Sequence, residues 1–163
     1  VVRTSARLGH AAALNVGLRR SIGPVVVVLD SSVEATGDFV TPLVAALDDP
    51  HREVRGAAIE ALGELGDPRA AEPIAGLLGD SDWRLRVQAA EALGQLQAPA
   101  SAAKLTAALA DPHWRVRQAA VGALASFEEP ALLGALRKLL RDAHPEVRAA
   151  AAEAIADLSE SDD

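Results

Sequence analysis

Residues 49–79 read DPHREVRGAAIEALGELGDPRAAEPIAGLLG, and this stretch recurs in register down the rest of the chain. Sliding the sequence along itself returns a period of 31 residues with no insertion or deletion. Arg55, Arg86, Arg117 and Arg148 share one column, and Asp49, Asp80, Asp111 and Asp142 stand six residues before them. Val54, Leu85, Val116 and Val147 precede the arginines. The apolar columns that follow are Ala58, Ala89, Ala120, Ala151, then Leu62, Leu93, Leu124, Ile155, then Leu65, Leu96, Phe127, Leu158. In the second half of each unit Pro68, Pro99 and Pro130 align, as do Ile74, Leu105 and Leu136. A period in this range is the mark of a repeat architecture.

Each unit reads as two helices. Val54, Ala58, Ala61, Leu62 and Leu65 follow the i, i+4, i+7, i+8, i+11 spacing of one helical face. Gly66 supplies a stop, Asp67-Pro68 turns the chain, and a second helix buries Ile74, Leu77 and Leu78. One such pair cannot cover its own apolar stripe, so neighbours must stack into a solenoid. The predicted fold class is therefore all-α, with a half-unit at 41–48 and units at 49–79, 80–110, 111–141 and 142–160 inside a repeat domain spanning 41–163. One step further back, Pro24 and Ser31 would have to match Arg55 and Leu62, and the pattern stops.

The pattern Asp-Pro-His-x-x-Val-Arg-x-x-Ala-x-x-Ala-Leu-Gly, seen from Asp49 and with variation from Asp80, Asp111 and Asp142, resembles the short HEAT repeats of phycobilisome lyase-type proteins. The resemblance covers about 42–158 and implies a right-handed superhelix of helical hairpins that binds other proteins. It also implies a further role, as a helper that handles a chromophore or cofactor. Thr41-Pro42-Leu43 resembles the ankyrin signature, but it occurs once and no His follows it. Tetratricopeptide units need recurring large aromatics, which are missing here.

Composition narrows the classes further. Half of the 163 residues are hydrophobic but only 2% are aromatic, so Ala, Leu and Val must build the core. These residues suit closely approaching helices. The chain has no Cys, which excludes disulfides, Cys-ligated zinc and thiol nucleophiles. A net charge of −7 argues against a nucleic-acid footprint. No apolar run approaches a membrane span, the longest being Val25–Leu29, and no signal peptide is visible. A cytoplasmic setting is expected. The chain has no Met, even at position 1, and reads as a processed product or a piece of a longer reading frame.

The first forty residues depart from the repeat. Ala11–Arg20 reads as a helix, and Val25-Val26-Val27-Val28-Leu29, between Gly23-Pro24 and Asp30-Ser31-Ser32, as a buried strand. Gly9, Ala11, Asn15 and Gly17 followed by that strand and Asp30 resemble part of the family 2 glycosyltransferases, over about residues 1–50. There the acidic motif after the strand holds a divalent metal and the nucleotide-sugar diphosphate, so Asp30 is the candidate nucleotide-sugar or metal residue. Ser32 stands where the second acid would be, and a lone carboxylate is a poor site for a hard cation. No cofactor is expected unless that reading holds, in which case it is a divalent metal.

Within the repeat, the Arg and Asp columns read as a structural ladder that ties units together. Trp83 and Trp114 occupy equivalent positions at the start of the first helix, either as partner anchors on one rim or as indoles lying flat across the joints. His51, His113 and His144 share a column that Asp82 interrupts, and read as polar helix starts rather than metal ligands. The second helices are expected to line the concave side. That would give a smooth groove of Glu72, Ala75, Gly76, Ala103, Thr106 and Ala107, with a basic end at Arg137 and Lys138. No Ser-His-Asp order, paired-acid cleft or phosphate loop is present. The expected partner is a protein or peptide, bound through Trp83, Trp114, Thr106, Arg137 and Lys138.

Overall fold

The computed structural model describes residues 38–127 and 129–160. The helix–strand segment expected before residue 38, with Asp30, lies outside the described residues. The rest is built from helices alone: α1 (Val40–Ala46), α2 (Arg52–Leu65), α3 (Ala71–Gly76), α4 (Trp83–Gln95), α5 (Ala102–Ala108), α6 (Trp114–Ala125), α7 (Leu133–Leu139) and α8 (Pro145–Glu160).

Long and short helices alternate. The long helices α2, α4, α6 and α8 stack on one another in order, while α1, α3, α5 and α7 form a second layer against them. The fold is an α-solenoid. Pro68, Pro99 and Pro130 each open a single 3-10 turn that leads into the short helix. Proline suits a first helical position because its missing N–H would lack a partner there anyway.

The core lies between the two layers and follows the sequence columns. Ala58, Ala89, Ala120 and Ala151 are buried from the long helices, and Ile74, Leu105 and Leu136 from the short ones. Leu62, Leu93 and Leu124 are fully enclosed, while Ile155 in the same column is only half-buried. Complete burial of one such leucine is worth roughly 1.5–3 kcal/mol, so the repeated column carries much of the stability.

Close approach within the long layer depends on small residues. A Cβ built on Gly94 would sit 2.9 Å from Ala123 Cα and 3.1 Å from Ala123 Cβ, so α4 and α6 meet almost backbone to backbone. At the end of α2, Gly66 takes φ 66° and closes the helix in the left-handed conformation. Its equivalent one unit on is Gln97, at φ 44°, a conformation that an L side chain adopts at a cost.

Candidate functional site: the long-helix groove and its rim

The Arg–Asp ladder organises the joints. In every unit the Arg Nη1 donates to the carbonyl of the Asp six residues earlier, at 2.8 Å for Arg55, Arg86, Arg117 and Arg148 alike. The same Asp carboxylate accepts the N–H two residues on, at 2.7–2.8 Å, and so shapes the turn before each long helix. Its remaining capacity faces the preceding unit. Arg86 grips Asp111 with two bonds of 2.8 and 3.0 Å, and Arg117 grips Asp142 with two of 2.7 Å.

These two pairs are nearly shielded from water, with side chains 12% and 8% exposed in each. Hydrogen bonding from Arg117 holds the Asp142 carboxyl below its ordinary range. Burial opposes ionisation of Asp111, but bonds from Arg86 and from the His113 N–H outweigh it, and that carboxyl too is lowered. The first rung is looser. Arg55 reaches Asp80 only at 3.3 Å through Nη2, and its buried Nε has no partner among the described residues.

Beside the ladder runs a stack of rings. Trp83 lies on His113 of the next unit, with centroids 3.9 Å apart and planes 6° from parallel. Trp114 lies on His144 in the same way, at 5.1 Å and 16°. Both indoles are half-buried and span their joints. His113 also accepts the Arg115 N–H through Nδ1 at 3.3 Å, and Asp82 accepts the Arg84 N–H at 2.9 Å, so each caps its long helix. Arg84 sits over Trp83 at 4.7 Å. Arg115 lies 5.4 Å from Trp83 and 5.2 Å from Trp114. Guanidinium–indole contacts of this kind are favourable and leave the N–H edges outward.

This rim borders an open groove of about 1320 Å³, and every residue lining it belongs to the long helices or to the turns beside them, Asp82 before α4 and Ser126 after α6. The placement corrects the expectation that the short helices line the hollow. Beneath it the long helices approach one another through glycine and alanine, as at Gly94 and Ala123. On the short-helix face lies a smaller hollow of about 330 Å³, lined in part by Ala75 and Ala107. Thr106 is there turned inward on its own helix, donating to Ala102 O at 2.8 Å. Arg137 and Lys138 are exposed on α7, away from the groove. Of the residues singled out for partner binding, Trp83 lines the groove and Trp114 stands on its rim.

Sequence reasoning passed over Arg84, Arg115, Glu60, Glu91, Gln88 and Gly122, all of which line the groove. The signal was present, since Arg84 and Arg115 share the column after the tryptophans and Glu60 and Glu91 share another. Glu91 is exposed, yet the neighbouring groove atoms displace enough water from its carboxyl to push it above its ordinary range. A Cβ on Gly122 would meet open space. Among the described residues no group of His, Asp and Glu could hold a metal ion, and no helix is long and apolar enough to cross a membrane.

Comparison with known proteins identifies the class. The HEAT-repeat profile matches residues 40–121 and 102–163, and the chain belongs to the HEAT-repeat family. The glycosyl transferase family 2 profile matches residues 1–74. Where the two overlap, residues 40–74 fold as α1, α2 and the start of α3. Similar solved structures include the complex of CpcE and CpcF of phycocyanin lyase from Nostoc sp. PCC7120. It is 26% identical over 74% of this chain and 53% of that one, with a TM-score of 0.66. Human deoxyhypusine hydroxylase in complex with glycerol is 30% identical over 86% of this chain and 50% of that one, with a TM-score of 0.67. The chain thus spans about half the length of each. A designed armadillo repeat protein in complex with the peptide (KR)4 is 25% identical over 73% of this chain and 64% of that one, at a TM-score of 0.57. No curated protein matches the chain in sequence.

Proposed function

We propose that the protein is a non-catalytic HEAT-repeat scaffold whose long-helix groove holds a segment of a protein partner. The observation that carries this reading is the groove itself, an open hollow of about 1320 Å³ edged by a half-buried tryptophan and stacked arginines. Aromatic and arginine side chains are the types that most often dominate binding energy at interfaces. The likeness to an armadillo repeat protein in complex with a peptide supports the same use of a repeat surface. A chain without cysteine suits a reducing, cytoplasmic setting.

The test uses a substitution that fills the groove without touching the core. Gly122→Trp places an indole in open space on α6. Peptides selected by display against the full chain should lose roughly tenfold or more of their affinity for this variant, measured by fluorescence anisotropy. If every selected sequence binds Gly122→Trp as tightly as the parent, the groove is not the binding face.

The profile match over residues 1–74 favours a second reading, a family 2 glycosyltransferase module joined to the repeats, with Asp30 toward the metal and diphosphate. It requires binding of a nucleotide-sugar that depends on manganese. A calorimetric titration showing no manganese-dependent heat removes it for this chain. The likeness to phycocyanin lyase supports a third role, handling a bilin chromophore. An unchanged bilin absorption spectrum on mixing would dispose of that one.

A further inference from the structure

Two rows of charge face each other across the groove. On α4, Arg84 and Glu91 both line it and stand seven residues apart, about 10.5 Å along the helix axis at 1.5 Å per residue. The same chemistry recurs one helix away on either side. Arg115 follows Arg84 on α6, and Glu60 precedes Glu91 on α2. Packed helices lie roughly 8–10 Å apart, so like charges repeat along the groove at about that spacing.

Both rows are short of partners within the chain. Glu60 and Glu91 are exposed and pair with no cation among the described residues. Arg115 lies against the faces of two indoles, and no described carboxylate takes its N–H groups. Arg84 has only a long 3.6 Å contact with Asp82, which is already engaged in capping α4.

We propose that the groove takes one α-helix of a protein partner, lying across the long helices. Acidic side chains spaced seven residues apart would meet Arg84 and Arg115, and basic ones with the same spacing would meet Glu60 and Glu91. The proposal rests on the groove being the protein-binding face and specifies what fills it.

Three geometric facts select a helix. A helix with its side chains is about 10–12 Å wide, which matches the separation of the two rows. Residues i and i+7 of a helix lie on one face about 10.5 Å apart, close to the spacing between adjacent units. An extended strand fits poorly, because its side chains alternate and those on one edge recur only at multiples of about 6.6–6.8 Å. The basic row runs over α4 and α6 and the acidic row over α2 and α4, so the partner's charged pairs are staggered by one seven-residue step. Turning the helix end for end would put its acids against Glu60 and Glu91, so only one direction is allowed.

The probes are three side-chain-stapled, alanine-rich peptides about 20 residues long, enough for a stable helix. One carries the staggered Glu and Lys rows, one Lys in both rows, and one Glu in both. Anisotropy titrations with the full chain at low salt should show the mixed helix binding roughly tenfold tighter than either single-sign helix. Glu60→Lys with Glu91→Lys makes both edges basic and should shift the preference to the all-Glu helix. Arg84→Glu with Arg115→Glu should shift it to the all-Lys helix. The first double variant leaves the Trp–His stack alone, so it decides the matter even if the second disturbs folding. Equal affinity for all three peptides, or an unchanged preference in the glutamate-to-lysine variant, overturns the helix proposal. In that event, selected peptides that still lose affinity for Gly122→Trp would leave the groove standing as the binding face. A mixed helix that binds Gly122→Trp as well as it binds the parent chain would overturn both.

Discussion

The first joint of the solenoid and the two that follow share their Arg and Asp columns but not their bonds. Between α4 and α6, and again between α6 and α8, an arginine holds an aspartate with two short bonds and a tryptophan lies on a histidine. Between α2 and α4, Arg55 makes one contact of 3.3 Å with Asp80 and leaves its Nε unpaired among the described residues. Arg52 stands where the tryptophan would be and Asp82 where the histidine would be, and they meet through one 3.3 Å contact. In a repeat protein, stability is approximately a sum over units and joints, so uneven joints mean uneven stability. The α1–α2 end should therefore open before the α6–α8 end, which hydrogen exchange would register as weaker protection on α2.

The sharpest way to break this comparison is to remove the acid from one rung of each kind. Asp111→Ala strands a nearly buried guanidinium and should cost about 3 kcal/mol in urea unfolding. Asp80→Ala should cost about 1–2 kcal/mol less, because both variants lose the bond from the N–H two residues on and only the contact across the joint differs, being already long here. Equal losses would mean that the rungs are energetically alike despite their geometry.

A second contrast uses one glycine column. Gly94→Ala drives a methyl into the backbone of Ala123 and should cost about 1–2 kcal/mol, even after its gain in helix propensity. Gly63→Ala meets the movable end of Gln95 at 2.8 Å and Ala92 Cβ at 3.2 Å, and should come out within about 0.5 kcal/mol of neutral. Denaturation midpoints of the two variants give the comparison directly.

Acid offers a third. Asp111 and Asp142 have carboxyls lowered on folding, against an ordinary value of about 3.9. A lowered folded-state pKa contributes stability that is present above the ordinary value and lost as pH falls through the folded one. The urea midpoint should hold from neutrality down to about pH 4 and then fall. Asp111→Asn with Asp142→Asn should flatten that fall, and an identical acid profile in the double variant would sink the assignment.

The smallest effect is expected at the helix ends. Gln97 occupies the left-handed position that Gly66 fills one unit earlier. Gln97→Gly should stabilise by about 0.5–1 kcal/mol, less whatever its 3.4 Å bond to Ser126 O contributes. Gly66→Gln should lose about as much, a pair of opposite shifts readable by thermal melting.

The layer structure was legible because buried columns repeat. Ala58 and its equivalents, and Ile74 with Leu105 and Leu136, mark the two packed faces without help from any contact map. The ladder was legible as a pair of columns, but its wiring was not. A spacing of six residues is local, whereas the bond from Arg86 to Asp111 spans 25 and depends on how far the next unit is set back. Which face carries the larger hollow was not legible either, since both layers are rich in small residues. The histidine column was read as helix capping, which His113 does, while its second role under Trp83 needs the height of a neighbouring unit.

The wiring of the ladder has a consequence for how such a molecule can grow. Each aspartate shapes its own turn, anchors its own arginine through the carbonyl, and offers its carboxylate backward to the unit before. Each joint therefore pairs an arginine of one unit with an aspartate of the next, loosely at the first joint and with two short bonds at the other two. Excising residues 80–110 as a block would set Arg55 opposite Asp111, a correct mating in register. Tandem duplication or loss of whole 31-residue cassettes thus keeps the Arg and Asp columns in register, whereas a cut that is not a multiple of that period would leave an arginine facing no aspartate.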